Sequence, residues 1–125
     1  MPLTRLSVPA HLPDSLAQAL AGAVQDALVQ TCAVPQDDSF QLVQRFPPGS
    51  MLLDPHFGGV SRSDDACVIE IMFLQGRSDA QKRALYRGVA ERAHQIGLRP
   101  DDLLVALAEN GPIDWSLGRG QAYGD

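Results

Sequence analysis

Hydrophobic and polar residues alternate loosely from Leu3 to Val8 (LTRLSV), where Leu3, Leu6 and Val8 give an imperfect half-buried strand. His11-Leu12-Pro13-Asp14 breaks that pattern, and Asp14 or Ser15 is placed to cap a following helix. The spacing predicts this helix over 15–31, with Leu16, Leu20, Val24 and Leu28 recurring every fourth residue as one apolar stripe. Val34-Pro35-Gln36-Asp37-Asp38 ends it, because proline disfavours helical backbone in the residue before it. Residues 39–46 (SFQLVQRF) then read as a second strand.

The scheme repeats. Residues 66–74 (ACVIEIMFL) are almost continuously apolar, the pattern of a strand covered on both faces. Gln75-Gly76-Arg77 interrupts the run, and Ser78 followed by Gln81 is a capping box. It opens a helix with Leu85, Val89, Ala93 and Ile96 on its buried side, which Gly97 stops. Arg99-Pro100-Asp101-Asp102 turns the chain into a last strand over 103–108 (LLVALA). Asp37-Asp38 and Asp101-Asp102 stand 64 residues apart, and the helical stripes align at an offset of 65, matching Leu20 to Leu85 and Val24 to Val89. The expectation is an α/β (α+β) chain of two fused β-α-β units, approximately 2–46 and 66–109, in a single domain spanning 1–125. Residues 47–60 form a Pro/Gly-rich connection with room for a short strand at 50–53. The tail 110–125 is glycine-rich and carries the only tryptophan, Trp115.

Length and composition narrow the function classes. With 125 residues, 45% of them hydrophobic, the chain can bury a real core and is not of disordered type. A net charge of −5 without a basic run argues against nucleic acid or an anionic membrane as partner. The longest uncharged stretch, between Asp14 and Asp26, is far short of the ~20 residues a bilayer requires. No secretory signal opens the chain, so a soluble cytoplasmic protein is expected. His11, His56 and His94 lack ligand-like spacing, no metal or cofactor is expected, and Cys32 and Cys67 read as small buried hydrophobes. Gly118-Arg119-Gly120 is no dinucleotide fingerprint, and Asp64-Asp65 and Asp101-Asp102 read as turn residues.

Pro2 carries the most distinctive chemistry. A small residue after the initiator Met favours removal of that Met, leaving a secondary amine. Neutral, such an amine is a base or an imine-forming nucleophile; protonated, it is an acid and a local cation. Many chains begin Met-Pro without using the proline, so the context decides. That context is Met1-Pro2-Leu3-Thr4-Arg5-Leu6, Val34-Pro35-Gln36-Asp37-Asp38-Ser39-Phe40, Gln75-Gly76-Arg77-Ser78-Asp79-Ala80-Gln81-Lys82, Pro100 to Asn110, and Asp114-Trp115-Ser116-Leu117-Gly118-Arg119-Gly120. Over nearly its whole length the chain resembles the tautomerase superfamily, and within it the malonate semialdehyde decarboxylase group.

The resemblance implies a cofactor-independent enzyme that assembles as a barrel-like homotrimer, with one site per chain around Pro2. It makes Pro2 the catalytic amine and Asp38 its acid/base or water-orienting partner, although Asp37 beside it is chemically able to do either job. Arg77 becomes the cation that binds a substrate carboxylate, aided by its place before a helix N-terminus. Trp115 and Leu117 would line the pocket; Trp115 serves equally well as a core or interface anchor. The chain departs from that group at Gln75, where the decarboxylase has a second arginine, and at Leu117, where it has phenylalanine. Gln75 can hydrogen-bond a substrate but brings no charge. The sequence thus predicts an amino-terminal-proline enzyme for keto–enol proton transfer on a small oxo acid. Its alternatives are a decarboxylase of malonate semialdehyde or a similar 3-oxo acid, and a non-catalytic trimeric binding protein. In either reaction the partner is a small anionic carbonyl compound.

Overall fold

The computed structural model describes residues 1–125, and its elements run β1 (Pro2–Pro9), α1 (Asp14–Cys32), β2 (Phe40–Phe46), β3 (Cys67–Leu74), α2 (Asp79–Gln95) and β4 (Leu103–Asn110). Single 3₁₀ turns occupy Pro100–Asp102 and Pro112–Asp114. The four strands form one sheet in the order β2-β1-β3-β4. β1 pairs with β2 in parallel and β3 with β4 in parallel, each pair bridged by its helix. The two units meet through antiparallel β1 and β3, which places Leu6 opposite Ile69 and Pro2 opposite Phe73.

Period-two alternation sends Leu6 and Val8 of β1, and Cys67, Ile69, Ile71 and Phe73 of β3, to one face, where all are fully or almost fully buried. Leu20, Val24 and Leu28 of α1 and Leu85, Val89 and Ala93 of α2 close over them as one core. The helices pack closely at Gly88, where a Cβ would stand 3.5 Å from that of Ala27. The capping box of Ser78 and Gln81 forms as the spacing predicts. Neither Asp14 nor Ser15 caps α1: Pro13 holds the cap position without a side-chain hydrogen bond, and the Asp14 carboxylate pairs with Arg45. No strand forms at 50–53. No helix is long and apolar enough to cross a membrane.

β3 departs from the expectation of a strand covered on both faces. Both helices lie on the same side of the sheet, so Glu70 and Met72 on the other side are exposed in the single chain. Asp102, expected as a plain turn residue, is buried, and its carboxylate accepts from the Ser63 N–H at 2.6 Å and the Ser63 hydroxyl at 2.7 Å. It thereby pins the connection between the units to the start of β4.

Cys67 is buried as expected. Desolvation, reinforced by the negative charges of Asp102 and Asp65, pushes its thiol up from an ordinary 9.0 to about 12. Above pH 9 the unfolded chain loses this proton while the folded chain keeps it, so stability must fall as pH rises toward 12. The slope is about 1.4 kcal/mol per pH unit while only the unfolded state is ionised. Urea unfolding of the wild type beside Cys67→Ala at pH 8 and pH 10.5 should show a larger loss in the wild type.

Candidate active site

Parallel pairing within each unit and antiparallel pairing between them bring several termini to one end of the sheet. Pro2 opens β1 opposite Phe73, near the close of β3. Phe40 opens β2 opposite Leu3, so the preceding turn emerges at the same end. α1 runs back along β1 and ends there at Cys32, and Asn110 closes β4 opposite Leu74.

Pro2 is buried and Asp38 half-buried, whereas Asp37 faces solvent. The turn thus presents the two carboxylates differently. Asp38 donates its N–H to the Pro35 carbonyl at 3.0 Å, and its Oδ2 receives the Met1 amine at 2.5 Å. The side chains at that contact are only 4% and 18% exposed, so this charge pair sits in a partly desolvated place. Pro2's nitrogen follows one residue along the backbone, at a Cα spacing of about 3.8 Å.

Arg77 is not a free surface cation. Its Nε and Nη2 donate to the Cys32 carbonyl at 3.3 and 3.2 Å, Nη1 donates to the Leu74 carbonyl at 2.9 Å, and the guanidinium lies 4.9 Å from the Phe73 ring centroid. α1 has no basic residue in its last turn, so Arg77 of the second unit caps the carbonyl end of the first unit's helix. Three of its five N–H groups are engaged, which leaves one on each terminal nitrogen. Next to it, Lys82 hydrogen-bonds Glu109 at 2.6 Å. That bond holds Glu109 below the ordinary carboxylate range, with help from the Gly76 N–H and the Arg77 charge, and raises Lys82 above the ordinary range. The turn carrying Arg77 is thus stapled to β4.

The chain matches the family model described as "Tautomerase enzyme" over residues 38–118. Probable tautomerase YusQ of Bacillus subtilis (strain 168) is 32% identical over 98% of this chain and 97% of its own length. The chain belongs to the tautomerase family. Probable tautomerase YrdN of the same organism is 30% identical over 98% of this chain and 95% of its own. Among solved structures, a malonate semialdehyde decarboxylase inhibited by 3-bromopropiolate superposes with a TM-score of 0.90 at 30% identity, covering 95% of this chain and 91% of that one. Another malonate semialdehyde decarboxylase, solved in wild-type, mutant and inactivated forms, gives 0.88 at 32%, covering 95% and 92%. Fused 4-OT proteins share the fold, with a TM-score of 0.78 at 23% identity for the native form, covering 96% of this chain and 94% of that one.

In this member of the tautomerase family the remaining candidates are spread along the rim. Gln75 has an exposed side chain, and its N–H donates to the Asn110 carbonyl at 2.8 Å. Trp115 is half-buried, its indole N–H bonded to the Asn110 side chain at 2.6 Å. Asn110 therefore links Gln75 to Trp115, a role that sequence reading missed because an asparagine ending a strand looks like a turn residue. Leu117 is not brought onto the others; it is 55% exposed. Gln25 was also missed. It is the only polar residue among those α1 buries, and its Nε2 donates to the Asp38 carbonyl at 3.1 Å. A cleft of about 820 Å³ lies at the opposite end of the sheet between Pro9, Phe46 and Ala66, and excludes Pro2, Asp38 and Arg77.

The Asn110–Trp115 bond anchors the start of the tail. Asn110→Ala should free the indole, red-shift the single-tryptophan emission and speed tryptic cleavage after Arg119, read by fluorescence and by mass spectrometry of the digest.

Proposed function

We propose that this tautomerase moves a proton between carbon and oxygen of a small oxo acid, using the amine of Pro2 after removal of Met1. The observation that carries the reading is the Met1 amine, one residue before Pro2, lying on Asp38 at 2.5 Å, at the same end of the sheet as the half-engaged guanidinium of Arg77. Phe73 links the two, as the strand partner of Pro2 and the ring beneath Arg77. The two free N–H groups of Arg77 hold the substrate carboxylate. Neutral Pro2 takes the proton from the enol hydroxyl as the oxygen becomes a carbonyl. The resulting ammonium returns a proton to the adjacent carbon. Atoms and charges balance without a co-reactant. Asp38 stabilises the ammonium between these steps, and Gln75 and Trp115 border the pocket.

A second reaction is favoured by the likeness to the two malonate semialdehyde decarboxylases, one of them described with decarboxylase and hydratase activities and with an alanine mutant of its first-residue proline. There Pro2 acts as a cation: it polarises the carbonyl of a 3-oxo acid, the bond to the carboxylate breaks, carbon dioxide leaves, and the enolate is protonated. Uncharged Gln75 weighs against it, because only Arg77 then supplies a fixed cation to the carboxylate. The two reactions require opposite charge states of one amine. A retained Met1 would make Pro2 an amide with no basic lone pair, which is the condition for a non-catalytic binding protein.

Assembly into a homotrimer completes the reading. Leu3, Phe40, Leu42 and Met72 share the sheet face that the helices leave open, and Phe40, Leu42 and Met72 are 51%, 50% and 42% exposed in the single chain. Relatives of this fold have been solved as trimers. Covering these side chains with further copies removes apolar surface from water.

Phenylenolpyruvate ketonisation and malonate semialdehyde decarboxylation, followed by NMR, separate the two reactions. Pro2→Ala and Arg77→Ala should each lower kcat/KM on the preferred substrate about 100-fold, equivalent to ~3 kcal/mol. Equal rates in all three proteins would refute the site, and an intact mass that retains Met1 in protein from its native source would refute the amine. Leu42→Asp should shift sedimentation from the trimer to the single chain.

A further inference from the structure

We infer that Gln25 is a positioning residue, the side chain that holds Asp38 against the amino-terminal amine. This rests on the proposed role of Asp38 and adds a residue to it. Gln25 lies on the buried face of α1 in line with Ala17 and Ala21, and is only 9% exposed. An amide there works against packing unless both of its ends are paired. Only one is: Nε2 donates to the Asp38 carbonyl at 3.1 Å, while Oε1 is buried without a partner. Beneath the same end of β1, the Thr4 hydroxyl is likewise buried and unpartnered. Stability alone would favour an aliphatic residue at position 25, so the single bond that Gln25 makes is what its presence accomplishes.

That bond completes a clamp. The Asp38 N–H is tied to the Pro35 carbonyl and the Asp38 carbonyl to Gln25, so the main chain is fixed on both sides of the carboxylate. No other side chain holds Asp38. The second unit makes a comparable turn without such a tether. At the helical offset of 65 the residue matching Gln25 is Ala90, and Asp102 is held through its carboxylate by Ser63 instead. The amide therefore occurs where the turn must leave its carboxylate available to an amine, and is missing where the carboxylate is used in folding.

The charged and titratable groups around this end of the sheet are Asp37 and Asp38 before β2, Cys32 at the end of α1, Arg77 and Asp79 after β3, and the Lys82–Glu109 pair joining α2 to β4. Among them only Asp38 contacts the amino terminus, through the Met1 amine, so loosening it withdraws the carboxylate from the place of the Pro2 amine. KM, which depends on Arg77 and the carboxylate of the substrate, should change little.

The test compares the wild type, Gln25→Met, Asp38→Asn and the double variant. The readouts are kcat and KM for phenylenolpyruvate across pH. Gln25→Met keeps the side-chain length and removes the hydrogen bond; Gln25→Asn, which keeps the amide but retracts it, serves if the first variant folds poorly. Either should displace the pH profile of kcat in the same direction as Asp38→Asn. Either should reduce kcat ~10-fold with KM within about twofold, and should add nothing in the Asp38→Asn background. If Asp38→Asn moves the profile and the Gln25 variants do not, the positioning role is wrong and the Asp38 reading stands. If neither moves it, both fall. Additive effects in the double variant would likewise overturn the inference, since they would mean Gln25 acts elsewhere.

Discussion

The antiparallel pairing of β1 with β3 is the contact on which the rest of this molecule depends. Each β-α-β unit alone is two parallel strands and one helix, too little to close a core. Pairing the inner strands makes four strands continuous and sets both helices side by side on one face. It also fixes which ends meet. Because Pro2 lies opposite Phe73, the amino terminus of the first unit and the turn that follows β3 in the second are neighbours. Neither unit contains the candidate site by itself.

Arg77 shows how closely folding and chemistry are joined there. It reaches back to the last carbonyl of α1, a helix that lacks a cation of its own at that end, and it rests on the ring of Phe73. These contacts hold the guanidinium rigidly and leave its two remaining donors in a fixed direction. The two acidic turns have diverged in the opposite sense. Asp102 uses its carboxylate to fix the connection between the units, whereas Asp38 has its main chain fixed and its carboxylate turned to the amino terminus.

The sheet explains the apolar excess of β3. A run such as CVIEIMFL belongs to a strand with cover on both sides, yet the single chain supplies helices to one side only. The outward residues of β3 and β2 leave an apolar surface that matches no element of the same chain. Pattern along the sequence records that a face is apolar; it carries no information on whether the cover comes from the same chain or from another copy.

The strands, the two helices, the capping box at Ser78 and the repeat offset were all legible in the sequence, because each depends on local spacing and on the intrinsic preferences of backbone and side chain. The motifs around Pro2, Asp38 and Arg77 pointed to the tautomerase family for a related reason: chemistry needs particular residue types, and those are visible one letter at a time. Two things were not legible. They are the capping of α1 by an arginine 45 positions away and the attachment of Gln25 to the Asp38 carbonyl. Each depends on where a turn or a side chain lands after the two units have paired, and that pairing joins residues whose separation along the chain leaves no periodic signal. The sequence determined the elements and the reagents; the register of β1 against β3 decided which of them meet.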